Sequence, residues 1–469
     1  MTEVNPRGQA AKTFDAEKID SEKLDAEKID SEKLDAEKLD SEKFYTEKHA
    51  QGAEECAHGG YVRSGYVQGE SVQEKYAQKR ARKFAAIDQQ ARASLAKIAP
   101  NPSRFCAKGA AGEANSAVKF AALTGSEIGS LPTVAADDIP QIFAAAREAG
   151  THWRNVGFKE RKRILSRFAD EVLKFREEIL DVLQWENGKS RGSAYEEVYD
   201  VLTNTLYYAK YAEKFLRPRS VSGAVPILTR ACVQYQPKGA VAVISPWNYP
   251  LTLAISDAAA ALMAGNTVIL KPDSLTPYSA IAAAALLARA GLPSGVFQIV
   301  IGSGRELGPA MIAECDYMMF TGSTATGKEI GALAGAQLVG YSAELGGKNA
   351  MIVRADAPVK RAAKAAAKAS FASSGQLCVS MERIYIRSEI WDEFVSEFVR
   401  VTNKLKVDAA LDWKSDIGPL ISDTQVTKVL SHVQDAVAKG RRYLQAENCC
   451  RRFLSAQLRR QFSPGLRRR

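Results

Sequence analysis

From Gly239 onward the chain alternates short apolar runs with helical spacing, and that alternation leaves few folds open. Residues 240–245 (AVAVIS) read as a short buried strand, and the spacing predicts a helix over 252–264, closed by Gly265. A second strand at 267–272 (TVILKP) precedes a helix over 277–290 that stops at Gly291-Leu292-Pro293. A third strand, 296–302 (VFQIVIG), is followed by a helix over 305–313, and 317–323 (YMMFTGS) leads into a helix from about Ala325. Strands joined through helices by short turns imply right-handed crossovers and a parallel, doubly wound sheet. Ligands of such sheets bind beyond the carboxyl ends of the strands. Here those ends carry Pro246-Trp247-Asn248, Lys271-Pro272 and Thr321-Gly322-Ser323, which makes that edge the expected site.

Upstream, 139–149 and 153–185 show helical apolar spacing, with Ile164, Leu165, Phe168, Val172 and Leu173 among interleaved charges. Residues 50–135 are rich in Gly, Ala, Ser, Lys and Arg and read as a linker, with one helix over 72–98. Residues 14–44 repeat a pentad, D-[A/S]-E-K-[I/L/F], with apolar residues from Phe14 to Phe44. Five residues advance a helix by about 500°, so these side chains never line one stripe, and an odd period swaps faces in a strand. The pentads therefore read as a charged, fluctuating extension, and the missing heptad weighs against a coiled coil. Residues 1–135 are taken together as a low-complexity N-terminal extension.

The net charge of +10 suggests a nucleic-acid partner until it is located. Residues 441–469 hold nine arginines and one acid, a net +8, so the remaining 440 residues carry only about +2. The basic balance belongs to a tail and does not point to a nucleic-acid-binding face. Seven cysteines without a CxxC pair read as reduced, cytoplasmic thiols, with neither disulfides nor a metal site. A polar N-terminus and the lack of a long apolar run argue against secretion and a membrane span.

Five short motifs follow one another: PWNYP (246–250), KPDS (271–274), FTGSTATG (320–327), ELGGK (344–348) and GQLC (375–378). In order and approximate spacing they resemble the aldehyde dehydrogenase superfamily, and the surrounding sequence looks most like bacterial NADP-dependent succinate-semialdehyde dehydrogenases. The resemblance implies a Rossmann-type coenzyme domain within 136–344, led in by helices, and part of an α/β catalytic domain over 345–440. It makes Cys378 the thiol nucleophile, which adds to the aldehyde and leaves from a thioester. The Ser373-Ser374-Gly375-Gln376 run before it is small, polar and turn-prone, suited to presenting a nucleophile. An isolated cysteine is more often inert packing, and the other six are read as packing or solvent-facing.

By the same resemblance Glu344 is the general base, although an acid before Gly-Gly is by itself more often a surface turn residue. Asn248 becomes the amide of an oxyanion hole, with the Cys378 N–H as its partner. The coenzyme would lie against Ser245, Pro246, Trp247 and Asn248, then Lys271, Pro272, Asp273 and Ser274, and finally Gly322, Ser323, Gly327 and Leu345. NAD-preferring relatives usually carry Glu where this chain has Ser274. Losing that carboxylate removes repulsion against a 2′-phosphate, which favours NADP, with NAD possible. Some succinate-semialdehyde enzymes hold the distal carboxylate with an arginine eight residues after the motif Asn. Here that position is Ser256, and Arg383 is expected to be structural.

The resemblance stops near Gly440. No E-x-F-G-P motif, whose Glu grips the nicotinamide ribose in relatives, occurs in the chain, and neither does their oligomerisation strand. The abrupt change to Arg-rich, Cys-Cys sequence over 441–469 reads as a shifted frame. The expectation from sequence is therefore an aldehyde-oxidising enzyme whose activity is weakened or lost by an incomplete catalytic domain.

Overall fold

The computed structural model describes residues 72–109, 116–225 and 228–440; the pentads of 14–44 and the Arg-rich 441–469 lie outside the described residues. Helix α1 (Val72–Ile98) matches the helix expected there. It buries Ile87, Ala91, Leu95 and Ile98, a stripe spaced by three and four residues, which is one face of a helix. Polar ties hold it as well: Trp185 Nε1 donates to Asp88 Oδ1 at 2.7 Å, and Ser94 Oγ donates to Asp181 Oδ2 at 2.8 Å. Next comes an antiparallel hairpin, β1 (Ser116–Phe120) with β2 (Glu127–Pro132), which buries Ile128 and Leu131. The linker reading of 50–135 is thus corrected for 72–109 and 116–135. These residues are part of the folded body, because their apolar faces pack into the main core.

Helices α2 (Ile139–Trp153), α3 (Phe158–Lys174), α4 (Arg176–Asn187) and α5 (Arg191–Leu216) follow. A turn at Gly188, in the left-handed region at φ 89°, separates α4 from α5. A second antiparallel hairpin, β3 (Arg219–Ser222) with β4 (Arg230–Val233), leads to the sheet.

The sheet strands and their crossovers then run β5 (Ala240–Ile244), α6 (Pro250–Met263), β6 (Thr267–Lys271), α7 (Pro277–Arg289) and β7 (Phe297–Ile299). The return half is α8 (Gly304–Glu314), β8 (Tyr317–Thr321), α9 (Thr324–Ala336) and β9 (Gly340–Glu344). Five parallel strands stand in the order β7-β6-β5-β8-β9. Their side chains alternate between two cores. Val241, Val243, Val268 and Leu270 meet α6 and α7, while Ala240, Ala242 and Ile269 meet α2, α8 and α9. The strand order reverses between β5 and β8, and such a switch point opens a crevice beyond the strand ends. The doubly wound sheet expected from the alternation is present.

A smaller layer follows: β10 (Asn349–Val353), α10 (Val359–Phe371), β11 (Met381–Ile386) and α11 (Trp391–Thr402). β10 and β11 pair in parallel over a small core of Val353, Val359, Ala363, Ala366 and Phe394. Helix α12 (Asp423–Ala438) closes the described chain.

Candidate active site

The carboxyl ends of β5, β6 and β8 gather the residues singled out from the sequence. Beyond β5, Ser245 is buried and its N–H donates to the Lys271 carbonyl at 3.2 Å, which ties the β5 and β6 exits together. Its Oγ is buried without a partner. Pro246 and Trp247 are half-buried, and the Trp247 carbonyl accepts from Asn187 Nδ2 at 2.7 Å. Beyond β6, buried Lys271 donates from Nζ to the carbonyl of Pro272 at 3.0 Å. Burial pushes its ammonium below the usual lysine range, and the nearby Asp273 carboxylate partly offsets this. Asp273 folds back on its own turn, accepting from Leu275 N at 2.9 Å, and Ser274 Oγ donates to the Gly302 carbonyl at 3.2 Å.

Beyond β8, Ser323 caps α9, its Oγ accepting from Thr326 N at 3.2 Å. Side chains crowd the glycines of this turn. A Cβ on Gly322 would stand 2.6 Å from the Phe320 ring, and one on Gly327 would stand 2.4 Å from Leu345 Cδ2. A phosphorylated nucleotide fits these residues. The edge offers an orphaned hydroxyl at Ser245, a buried ammonium at Lys271 and, ahead of the capped Thr326, the first amides of α9 at Thr324 and Ala325.

The thiol side is built differently. Ser373, Ser374 and Gly375 are successively left-handed, at φ 48°, 63° and 73°. Two of these are not glycine, and each such residue costs roughly 1 kcal/mol, so surrounding bonds must hold the turn. The Ser373 N–H donates to Ser193 Oγ at 3.2 Å, Ser374 Oγ donates to the Gly418 carbonyl at 2.8 Å, and Gln376 N–H donates back to the Ser373 carbonyl at 3.1 Å. The turn delivers Cys378 to an exposed position. Its N–H has no acceptor among the described residues.

Asn248 bridges the two sides: its Nδ2 donates to the Gln376 carbonyl at 3.0 Å across 128 positions of sequence. One N–H of that amide is thereby used, and the second has no protein acceptor among the described residues. Glu344 ends β9, and its carbonyl accepts from Gly322 N at 3.0 Å. Asn349 begins β10 opposite Met381, and its Nδ2 donates to the Cys378 carbonyl at 2.6 Å. The Glu344 and Cys378 loops therefore emerge at the same edge, both exposed to solvent. Glu344 lies close enough to Asp257 on α6 to act on its carboxyl, which burial first, and Glu344 second, push up to about 6. Arg383 donates to the Lys348 carbonyl at 2.6 Å, a structural contact, and Ser256 Oγ donates to Asp200 at 3.2 Å.

Several positioning residues are invisible as motifs. Lys189 and Glu197 form a fully buried ion pair at 2.5 Å. Lys189 Nζ donates to the Asn248 carbonyl at 2.7 Å and stands 4.0 Å from the Tyr249 ring centroid. Glu197 Oε2 accepts the N–H groups of Leu251 and Thr252 at 2.9 and 3.1 Å, the unsatisfied first turn of α6. Removing one member of such a pair costs about 3–5 kcal/mol, because the other charge is left buried and alone. Glu186 does the same for α7. It accepts from Tyr278 N, from Ser279 N at 2.9 Å and from Ser279 Oγ at 2.6 Å. Burial pushes its carboxyl up to about 8 against those three donors.

Among the described residues, no group of three His, Cys, Asp or Glu side chains could hold a metal, and no helix is long and apolar enough to cross a membrane.

A parallel sheet with its switch point beside an exposed cysteine defines the class, and comparison with known proteins gives the family. The model of the aldehyde dehydrogenase family matches residues 110–453, so the chain belongs to that family. It is 48% identical over 317 residues to a Mycobacterium ulcerans protein provisionally named succinate-semialdehyde dehydrogenase (NADP(+)) 2, a match covering 68% of this chain and 61% of that protein. It is also 37% identical over 322 residues to a Methylomonas protein named 4,4'-diapolycopene aldehyde oxidase, covering 68% of this chain and 60% of the relative. The chain thus spans about three fifths of the length of these relatives. A crystal structure of succinate-semialdehyde dehydrogenase from Burkholderia pseudomallei is similar with a TM-score of 0.69 at 30% identity, over 73% of this chain and 72% of that one.

Proposed function

We propose that this chain oxidises an aldehyde, succinate semialdehyde, to the carboxylic acid with NADP+, using Cys378 as nucleophile and Glu344 as base. The observation that carries the reading is the Asn248 amide held on the Gln376 carbonyl, two residues before the thiol, with its other N–H free. Cys378 adds through sulfur to the aldehyde carbon, and charge grows on the carbonyl oxygen. The free N–H of Asn248 and the N–H of Cys378 are the two donors placed to receive that charge, and one such donor is worth about 2.7–4 kcal/mol. Lys189, holding the Asn248 carbonyl, keeps the amide in register as charge develops. NADP+, when bound, would supply the two-electron acceptor for the hydride that the thiohemiacetal carbon gives up on becoming a thioester. Glu344 then takes a proton from water, which attacks the thioester, and Cys378 leaves as thiolate with release of the acid.

For the coenzyme, Lys271 and Ser274 would hold the adenosine ribose, and the α9 start would face the pyrophosphate. Ser245, Pro246, Trp247, Pro272, Asp273, Gly322, Ser323, Gly327 and Leu345 would wall the remainder. The name of the Mycobacterium relative supports both NADP and succinate semialdehyde. The name of the Methylomonas relative gives a different aldehyde, so likeness alone does not choose the substrate. The test is NADPH formation by purified protein with succinate semialdehyde and a panel of other aldehydes. Turnover on succinate semialdehyde that disappears in Cys378→Ala supports the reading. Absence of turnover on every aldehyde overturns it, and preference for a different aldehyde overturns the substrate.

A further inference from the structure

Strand β1 turns a lysine towards the body of the protein. Lys119 is 8% exposed while its neighbours Val118 and Phe120 are 47% and 60% exposed. Successive strand residues point to opposite faces, so Val118 stands on the solvent face, and the Lys119 stem lies on the face that also buries Leu131, the partner of Ala117. Burying a Val or Phe side chain is worth about 1.5–3 kcal/mol, and a buried charge costs more unless it is partnered. Burial of Leu131 sets the orientation of the hairpin, and the Lys119 stem is carried inward beside it. Yet Lys119 makes no ion pair and no hydrogen bond among the described residues, and Lys271 makes no ion pair either.

The hairpin fixes where that ammonium goes. Lys119 pairs across the ladder with Gly129, and cross-strand partners share a face. A Cβ at Gly129 would stand 3.0 Å from the Tyr278 hydroxyl, so the Lys119 face is the one against Tyr278. Tyr278 opens α7, four residues after Ser274. Past the hairpin, Val134 N–H donates to the Ile301 carbonyl at 2.9 Å, beside the Gly302 carbonyl that accepts from Ser274. On the far side, a Cβ at Gly304 would stand 3.7 Å from Lys271 Nζ. Hairpin, 271–274 turn and the start of α8 thus surround one spot. The charges agree with this, since Lys119 feels Asp273 and Glu186, and Lys271 feels Lys119.

We propose that Lys119 is a specificity-determining residue of the coenzyme site, a second cation beside Lys271 that binds the 2′-phosphate distinguishing NADP from NAD. Two neighbouring ammonium groups without a closed carboxylate pair disfavour each other, and a dianionic phosphate between them relieves both. Asp273 and Glu186 are the carboxylates facing Lys119, and neither closes an ion pair with it.

This inference rests on the NADP reading, and the test separates the two. Binding of NADP+, NAD+, adenosine 2′,5′-bisphosphate and ADP to the full chain is measured by calorimetry for wild type, Lys119→Met and Lys119→Arg, with a melting curve for each. Lys119→Met is expected to weaken NADP+ and the 2′,5′-bisphosphate by about tenfold or more, leave NAD+ and ADP unchanged, and be rescued by Lys119→Arg. Equal affinities for all four ligands in Lys119→Met and wild type would overturn the inference alone. So would an equal loss for all four with a lower melting temperature, which marks Lys119 as only a structural neighbour of Glu186. Wild type binding NAD+ more tightly than NADP+ would overturn the coenzyme reading and this inference with it.

Discussion

The central strands β5 and β6 bury all but one of their residues, whereas β10 and β11 expose about half of theirs over a core of a few side chains. The two parallel ladders therefore keep their geometry by different means. The coenzyme-side sheet is fixed by apolar packing on both faces. The thiol-side layer is fixed by polar ties: the Asn248–Gln376 bond, the Ser374–Gly418 bond, the Ser373–Ser193 bond, and Ile421 N–H donating to Gln376 Oε1 at 3.1 Å. A region held by packing tolerates polar change on its surface. A region held by a handful of hydrogen bonds puts its function at risk one residue at a time.

The sharpest way to break that contrast is Cys378→Ala. Oxidation is expected to fall to background, while NADP+ affinity measured by calorimetry stays that of wild type, since the sheet side is untouched. Asn248→Ala comes next: kcat is expected to drop about 10²–10³-fold with little change in KM, read from steady-state kinetics. On the sheet side, Trp185→Ala removes a fully buried ring and its bond to Asp88, and denaturant unfolding is expected to show a loss of about 3–5 kcal/mol.

Glu186 gives a pH-dependent version. Its folded pKa, about 8, lies above the ordinary 4.5, so the folded chain binds the extra proton between those values. Its contribution to stability is present at low pH and is lost as pH rises towards about 8. Melting temperatures of wild type are expected to fall relative to Glu186→Gln over that window, and parallel curves would count against it. The smallest effect belongs to Ile352→Thr on β10. Its side chain is 76% exposed, and stability is expected to shift by no more than about 0.5 kcal/mol, measured by the same unfolding curves.

The parallel sheet was legible because its strands are short continuous apolar runs, as both faces are covered. The helix over 72–98 was legible from its spacing, but its membership of the folded body was not, since its partners lie on α4. The hairpin β1–β2 escaped because a lysine interrupts the inward face of β1 and a register shift at Lys119/Phe120 breaks the alternation, although β2 buries Ile128 and Leu131. β9 is polar and exposed at the sheet edge and gave no strand signal. Among the site residues, Asn248, Lys271 and Cys378 stand in recognisable motifs. Glu186 and Glu197 stand on helices, and Lys189 in the turn between them, as charges that usually face water. Glu197 reaches amides 54 and 55 positions away, and Glu186 reaches amides 92 and 93 positions away, distances at which local sequence carries no trace.

Those two glutamates also set a timescale. They sit on consecutive helices, α4 and α5, and each takes the first amides of a different helix of the sheet. Helix starts ordinarily fray first, and their protons exchange with solvent in brief local openings. The amides of Leu251, Thr252, Tyr278 and Ser279 open only when a carboxylate in the protein interior gives up its donors. These four protons should exchange as slowly as those of β5 and β6, making the mouth of the crevice as long-lived as the middle of the sheet.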